Sequence, residues 1–215
     1  CWILFKRQMK GNEELYTLKK ELGQSHANFD FLRSQINPHF LFNALNTIYG
    51  TAIQEKADRT SEGIEKLGDM MRFMLQENMQ DKISLAREID YLNNYISLQK
   101  LRTDPNPTIS IATSIEPQIS TIQIAPMLLI PFVENAFKYA SRDDKAINRI
   151  AISLKQQPGK IDFVCENTYD EGESSPGGIG LTNATRRLEL LYKDHYQLDI
   201  RNENNVYRVQ LLLKL

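Results

Sequence analysis

Residues 104–115 read DPNPTISIATSI, and the change of pattern inside this stretch decides the fold. Two prolines at alternate positions end any helix that precedes them, because neither supplies a backbone N–H and each drives the residue before it out of the helical region. Beyond them, Thr108 to Ile115 alternates like a strand. Working outward to the C-terminus, Ala125 to Ala140 reads as a helix, and Arg149 to Leu154 with Lys160 to Glu166 as a hairpin across Gln157-Pro158-Gly159. Gly180 to Tyr192 is a further helix, and Tyr196 to Arg201 with Tyr207 to Leu213 is a closing hairpin. The order β-α-β-β-α-β-β predicts a sandwich with helices on one face of a largely antiparallel sheet.

Working outward to the N-terminus, everything is helical. Ser84 is a plausible N-cap for a helix carrying Leu85, Ile89, Leu92 and Ile96 at helical spacing, which Asp104-Pro105-Asn106-Pro107 terminates. A stretch from Ala57 to Gln80 presents Ile64, Leu67, Met70, Met71 and Met74 as its packing side. Residues 31–50, FLRSQINPHFLFNALNTIYG, are apolar around most of the circumference except for a polar strip at Gln35, His39 and Asn43. Such a helix is expected to be buried on several sides, as in a bundle. Pro38 can kink it, letting Phe40 take over from Ile36 and leaving His39 partly exposed. The class is therefore α+β, with a helical hairpin region followed by an α/β sandwich. The divisions expected are 1–29 as an entry and linker segment, 30–104 as the helical region and 105–215 as the sandwich.

The 215 residues carry 26 lysines and arginines against 27 acids, a net charge of −1, with 41% apolar and 25% charged residues. That balance excludes disorder and lacks the basic excess that nucleic-acid binding needs. Two cysteines, Cys1 and Cys165, cannot build a disulfide framework or a four-cysteine zinc site, and they fit a reducing cytoplasm. The opening Cys1-Trp2-Ile3-Leu4-Phe5-Lys6-Arg7 resembles the last turn of a transmembrane helix, with an interfacial Trp and two cations just beyond it. The alternative is an incidental apolar end. On the membrane reading, the remainder of the chain is the cytosolic part of an inner (plasma) membrane protein. Leu15, Leu18, Leu22, Phe29, Leu32 and Ile36 form a heptad seam with Ser25 as its polar intruder, suited to a parallel dimer or to one amphipathic helix on its own domain.

Chemistry concentrates in two places. Asn135, Lys138 and Tyr139 lie on adjacent turns of one helix with Glu134 beside them, and an amide oxygen with a lysine one turn on suits Mg²⁺ and phosphate oxygens. Gly177-Gly178-Ile179-Gly180-Leu181 opens a helix after a Gly-, Ser- and acid-rich loop, where small residues let backbone amides approach a polyphosphate. Neither a P-loop nor a strand-GxGxxG is present.

SQINPHFLFNALN (34–46), LLIPFVENAFKYA (128–140) and GGIGLTNATRRLELLY (177–192) together resemble the three signature blocks of LytS/YehU-type sensor histidine kinases. The resemblance covers about residues 30–215. It implies a dimeric helical phosphoacceptor region followed by a Bergerat-type ATP-binding domain of the GHKL superfamily. ATP and Mg²⁺ would be the cofactors, and the partners a second copy of the chain and an aspartate-bearing receiver domain of a response regulator. His39 would be the phosphorylated residue and Asn135 the Mg²⁺ ligand. Lys138 and Tyr139 would contact nucleotide, with Gly178, Gly180, Leu181 and Asn183 at the junction of lid and helix.

A neutral imidazole has one ring nitrogen with a free lone pair for the γ-phosphoryl group, so catalysis would be mainly positioning and charge neutralisation. The competing reading of His39 is a buried, hydrogen-bonded core histidine; His26 and His195 read as structural. Three departures from the family pattern stand out. Phe40 follows His39 where common histidine kinases have an acid, so the proton acceptor is open, with Gln35 and Asn43 as orienting candidates and Glu134 as one from the other domain. Pro131 occupies the first polar position of the helix block. Glu166-Asn167-Thr168 stands where an adenine-reading Asp-x-Gly is usual; Glu166 aligns with that aspartate and Asn167 is held as its substitute. Pro131 and Glu166-Asn167-Thr168 motivate one alternative, a degenerate kinase acting as a dimeric scaffold; a further alternative is a GHKL-type ATPase without a phosphoacceptor.

Overall fold

The computed structural model describes residues 37–77, 80–103, 109–116, 122–140, 148–169 and 179–215. The chain divides into two compact units, 1–48 and 49–215. The membrane-flank and heptad readings, and Gln35, lie outside the described residues.

Helix α1 runs Pro38–Gln54. It opens as Asn-Pro sequences favour, with the Phe40 amide donating to Asn37 Oδ1 at 3.2 Å and Pro38 in the first turn, where no amide donor is needed. Pro38 therefore starts this helix rather than kinking it. Burial on several sides is not realised within the single chain: only Ala52 is buried, while Phe40 is 70% exposed and Ile48 and Ile53 stand about half exposed.

Helix α2, Asp58–Gln76, buries Ser61, Met70 and Phe73. Leu67 and Met74, expected on the packing side, are exposed instead. The period is helical as predicted, but the stripe that packs is rotated toward Phe73, whose ring stacks on Tyr91 with centroids 4.7 Å apart. The short strand β1, Ile83–Ser84, leads into helix α3, Leu85–Thr103. Ser84 Oγ accepts from the Arg87 amide at 3.4 Å, the capping position expected. Arg87 grips Glu77 beyond the end of α2, its Nε donating to both carboxylate oxygens at 2.9 and 3.1 Å, which fastens the two helices at that end.

The remaining elements are β2 (Ile109–Ile115), β3 (Gln123–Ile124), α4 (Ile130–Tyr139), β4 (Asn148–Gln157), β5 (Lys160–Thr168), α5 (Ile179–Leu191), β6 (Tyr196–Glu203) and β7 (Val206–Lys214). Five strands form one sheet in the order β2-β4-β5-β7-β6, with β2 and β4 parallel and the other pairs antiparallel. A parallel pair needs a crossover, and the segment carrying β3 and α4 supplies it. Gly159 takes φ +71 in the β4–β5 turn, as a Pro-Gly hairpin requires.

A separate two-stranded sheet joins β1 to β3, with Ile83 opposite Ile124; strands this short carry no readable alternation. The core is continuous across Asp104: Leu85, Leu92 and Ile96 of α3 pack in one cluster with Phe132 of α4, Phe163 of β5 and Leu211 of β7. The double-proline stretch ends a helix but not a core.

Candidate functional site

The helix expected from Ala125 begins only at Ile130, so Pro131 falls in its first turn and breaks no internal hydrogen bond. Ala125–Leu129 form the turn before it. Asn135 is buried, at 7% exposure, and its Nδ2 has no hydrogen-bond partner. A buried amide end normally finds a partner, so this one is where a polar atom of a ligand fits. Turning the amide over presents its oxygen at the same point, which suits a hard cation such as Mg²⁺. Lys138, one turn on, is exposed, with Nζ 4.8 Å from the centre of the Tyr139 ring. Glu134 lies at the surface beside Tyr91 and Tyr95. Partial burial raises its carboxyl above the ordinary value, and burial, aided by the Glu134 charge, pushes both phenols up to about 12.

Strand β5 separates the two candidates for reading the base. Along a pleat successive side chains face opposite ways. Ile161, Phe163, Cys165 and Asn167 are buried, while Asp162, Val164, Glu166 and Thr168 are only partly so. The buried face carries α4: Phe132 and Phe163 rings lie 6.2 Å apart, and the Cys165 thiol donates to the Phe132 carbonyl at 3.7 Å.

Asn167 therefore shares the layer of Asn135. It is 2% exposed, its Nδ2 donates to the Thr168 carbonyl at 2.9 Å, and its Oδ1 is unpartnered. An amide anchored this way leaves its acceptor oxygen available, as a carboxylate would. Glu166, the residue aligned with the adenine-reading aspartate, faces the opposite way. It is ion-paired with Arg208 and lines a trough of about 470 Å³ with Ala112, Ala151 and Ser153 on the open side of the sheet. The alternation of the strand is the reason, and it removes Glu166 from the site.

Gly180 lies in the first turn of α5 with open space where a Cβ would stand. Leu181 is partly buried against the core, and Asn183 is exposed. Gly178 lies outside the described residues. In the first turn of α1, His39 is exposed, and the Asn43 amide nitrogen sits 3.3 Å from Nδ1 and 3.4 Å from Nε2. His39 and Asn43 thus stand side by side as their i, i+4 spacing predicted, and the buried-core reading of this histidine fails.

Sequence reasoning missed Glu88. It is 0% exposed, in the middle of the apolar stripe Leu85, Ile89, Leu92, Ile96. Its Oε2 accepts from the Met127 amide at 2.7 Å and its Oε1 from the Leu129 amide at 2.9 Å. The acid at i+3 within that stripe was the available signal.

A helical segment followed by a sheet layered on one side with helices, and unsatisfied amides between the layers, has the architecture of a histidine kinase catalytic region. The histidine kinase family model matches residues 27–106. The sensor histidine kinase BtsS of Escherichia coli is 29% identical over 192 residues, covering 88% of this chain and 34% of that protein. The sensor protein LytS of Streptococcus mutans is 31% identical over 188 residues, covering 80% and 31%. The sensor histidine kinase YesM of Bacillus subtilis is 28% identical over 211 residues, covering 94% and 35%. Among solved structures, the histidine kinase domain of the Erythrobacter litoralis EL346 blue-light activated kinase matches with a TM-score of 0.50 at 14% identity, over 83% of this chain and 86% of that one. The family match thus falls on the helical region, and the chain spans about a third of the length of these curated relatives.

Proposed function

We propose that this chain is the phosphotransfer and ATP-binding part of a membrane-anchored, homodimeric sensor kinase of a two-component system, in which ATP phosphorylates His39 and the phosphoryl group passes to an aspartate of a response-regulator receiver domain. Among the described residues no helix is long and apolar enough to cross a membrane. The exposed apolar face of α1 at Phe40, Ile48 and Ile53 supports pairing with a second copy.

The observation that carries the reading is the pair of unsatisfied amides, Asn135 Nδ2 and Asn167 Oδ1, over nine-tenths buried on one layer of the fold. Asn167 Oδ1 accepts from the exocyclic amino group of adenine, which a keto base does not offer there. Asn135 holds Mg²⁺, which when bound supplies charge neutralisation for phosphate oxygens. Lys138 adds a cation at the mouth, with Tyr139 beside it. Gly180, Leu181 and Asn183 stand at the start of α5, where the open space at Gly180 leaves room for polyphosphate. His39, exposed at its helix start, is free to present a ring nitrogen to phosphorus as the bond to ADP breaks, with Asn43 orienting the ring. Glu134 is a proton acceptor at the surface; its raised carboxyl suits a general base better than an ordinary one.

The test is incubation of the chain with γ-labelled ATP and Mg²⁺. An acid-labile, base-stable phosphoprotein that His39→Ala abolishes is expected, and label retained in that variant overturns the site. Failure to bind ATP at all leaves the dimeric scaffold, and steady phosphate release indifferent to His39→Ala leaves the plain ATPase.

A further inference from the structure

The turn Ala125–Leu129 is held by side chains from two different helices through alternate amides. Ala125 N–H donates to the Tyr192 hydroxyl at 2.8 Å, Met127 N–H to Glu88 Oε2 at 2.7 Å and Leu129 N–H to Glu88 Oε1 at 2.9 Å. Ala125, Leu128 and Leu129 are sealed from water, so these amides have no solvent to fall back on. Met127 takes φ +54, a left-handed conformation that a long L side chain adopts only where its surroundings impose it. The Glu88 carboxylate also stands at the positive end of α4, where negative charge is favoured.

We propose that Glu88 and Tyr192 are positioning residues for Asn135: by gripping the turn they fix the register at which α4 starts. Asn135 lies six residues beyond Leu129 on a ten-residue helix. A slip of one residue at the start would turn its side chain by about 100° and move it about 1.5 Å along the axis, out of reach of what it holds. Pro131 in the first turn cannot supply a replacement amide. Tyr192 follows directly on α5, so the start of α4 is tied both to α3 and to α5. Arg187 of α5, Tyr192 just beyond it and Tyr91 of α3 are the charged and titratable groups felt at or near Glu88.

The inference rests on Asn135 being the Mg²⁺ ligand, so that residue is the control. ATP binding is titrated calorimetrically over a range of Mg²⁺ concentrations in wild type, Glu88→Gln, Tyr192→Phe and Asn135→Ala, with Mg²⁺-free ADP as the reference. Backbone hydrogen exchange of residues 125–139 is followed in parallel. Gln keeps the shape of Glu but offers one acceptor for two amides.

Glu88→Gln and Tyr192→Phe are expected to raise the Mg²⁺ needed for half-maximal binding by roughly three- to tenfold, the equivalent of a lost buried hydrogen bond. Affinity for Mg²⁺-free ADP should be unchanged, and exchange faster in residues 130–135. Asn135→Ala should abolish the Mg²⁺ enhancement. A wild-type Mg²⁺ requirement in both positioning variants, while Asn135→Ala has lost it, overturns the proposal. If Asn135→Ala behaves as wild type, the ligand reading fails instead, and exchange decides the positioning: faster at 130–135 in the variants supports it, unchanged overturns it. Should Glu88→Gln not fold, Tyr192→Phe carries the same test.

Discussion

Burial pushes the Glu88 carboxyl up to about 7 from an ordinary 4.5, against the downward pull of the Leu129, Met127 and Leu128 amides and of Arg187. Between those values the folded chain holds a proton that the unfolded chain releases. The contribution to stability is therefore fully present below pH 4.5 and is lost as pH climbs through 7. A rise of that size corresponds to about 3 kcal/mol, of which about 2.5 kcal/mol falls between pH 5 and pH 8. Tyr91, close by, is pushed up to about 12 and Tyr192 is also raised, so neither titrates in this window.

Glu88→Gln imitates the protonated acid and removes the titrating group, so wild type loses about 2.5 kcal/mol relative to the variant on going from pH 5 to pH 8. Urea unfolding followed by circular dichroism, at one protein concentration and at pH 5, 6, 7 and 8, measures it. A wild-type-minus-variant difference constant to within about 0.5 kcal/mol over that range would refute the assignment of a proton to this buried carboxyl.

Phe163→Ala empties a fully buried site beneath α4 and should cost about 3–5 kcal/mol in the same unfolding experiment. Asn167→Leu removes an unpartnered buried acceptor, so the melting temperature should hold while calorimetric affinity for ATP falls about tenfold; an unchanged affinity would take Asn167 out of the site. Arg87→Ala breaks the clasp onto Glu77 at the end where α2 passes into α3. With Arg87 half exposed, about 1 kcal/mol of stability should be lost, less at high salt. Cys165, buried with its thiol pushed up to about 12, should stay unmodified by iodoacetamide at pH 8 until urea is added, as read by peptide mass spectrometry.

Periodicity and punctuation in the sequence determined the element types. Alternation marked β2, β4, β5, β6 and β7, Pro158-Gly159 marked the hairpin turn, and Ser84 marked a cap, because each depends on neighbours within a few residues. The residues we propose for the phosphoacceptor and nucleotide sites were legible for the same reason, since His39 with Asn43, and Asn135 with Lys138, are each spaced along one helix.

What depends on distant partners was settled only by the tertiary structure. Which stripe of α2 packs was decided by Tyr91 meeting Phe73. Met127 gave up a helical conformation because Glu88, 39 residues away, binds its amide. The choice between Glu166 and Asn167 fell to the sheet, because adjacent residues of a strand face opposite sides and only the packing of α4 tells which side is enclosed. A local pattern fixes a period, whereas its phase against the rest of the molecule is set by contacts that no short stretch of sequence contains.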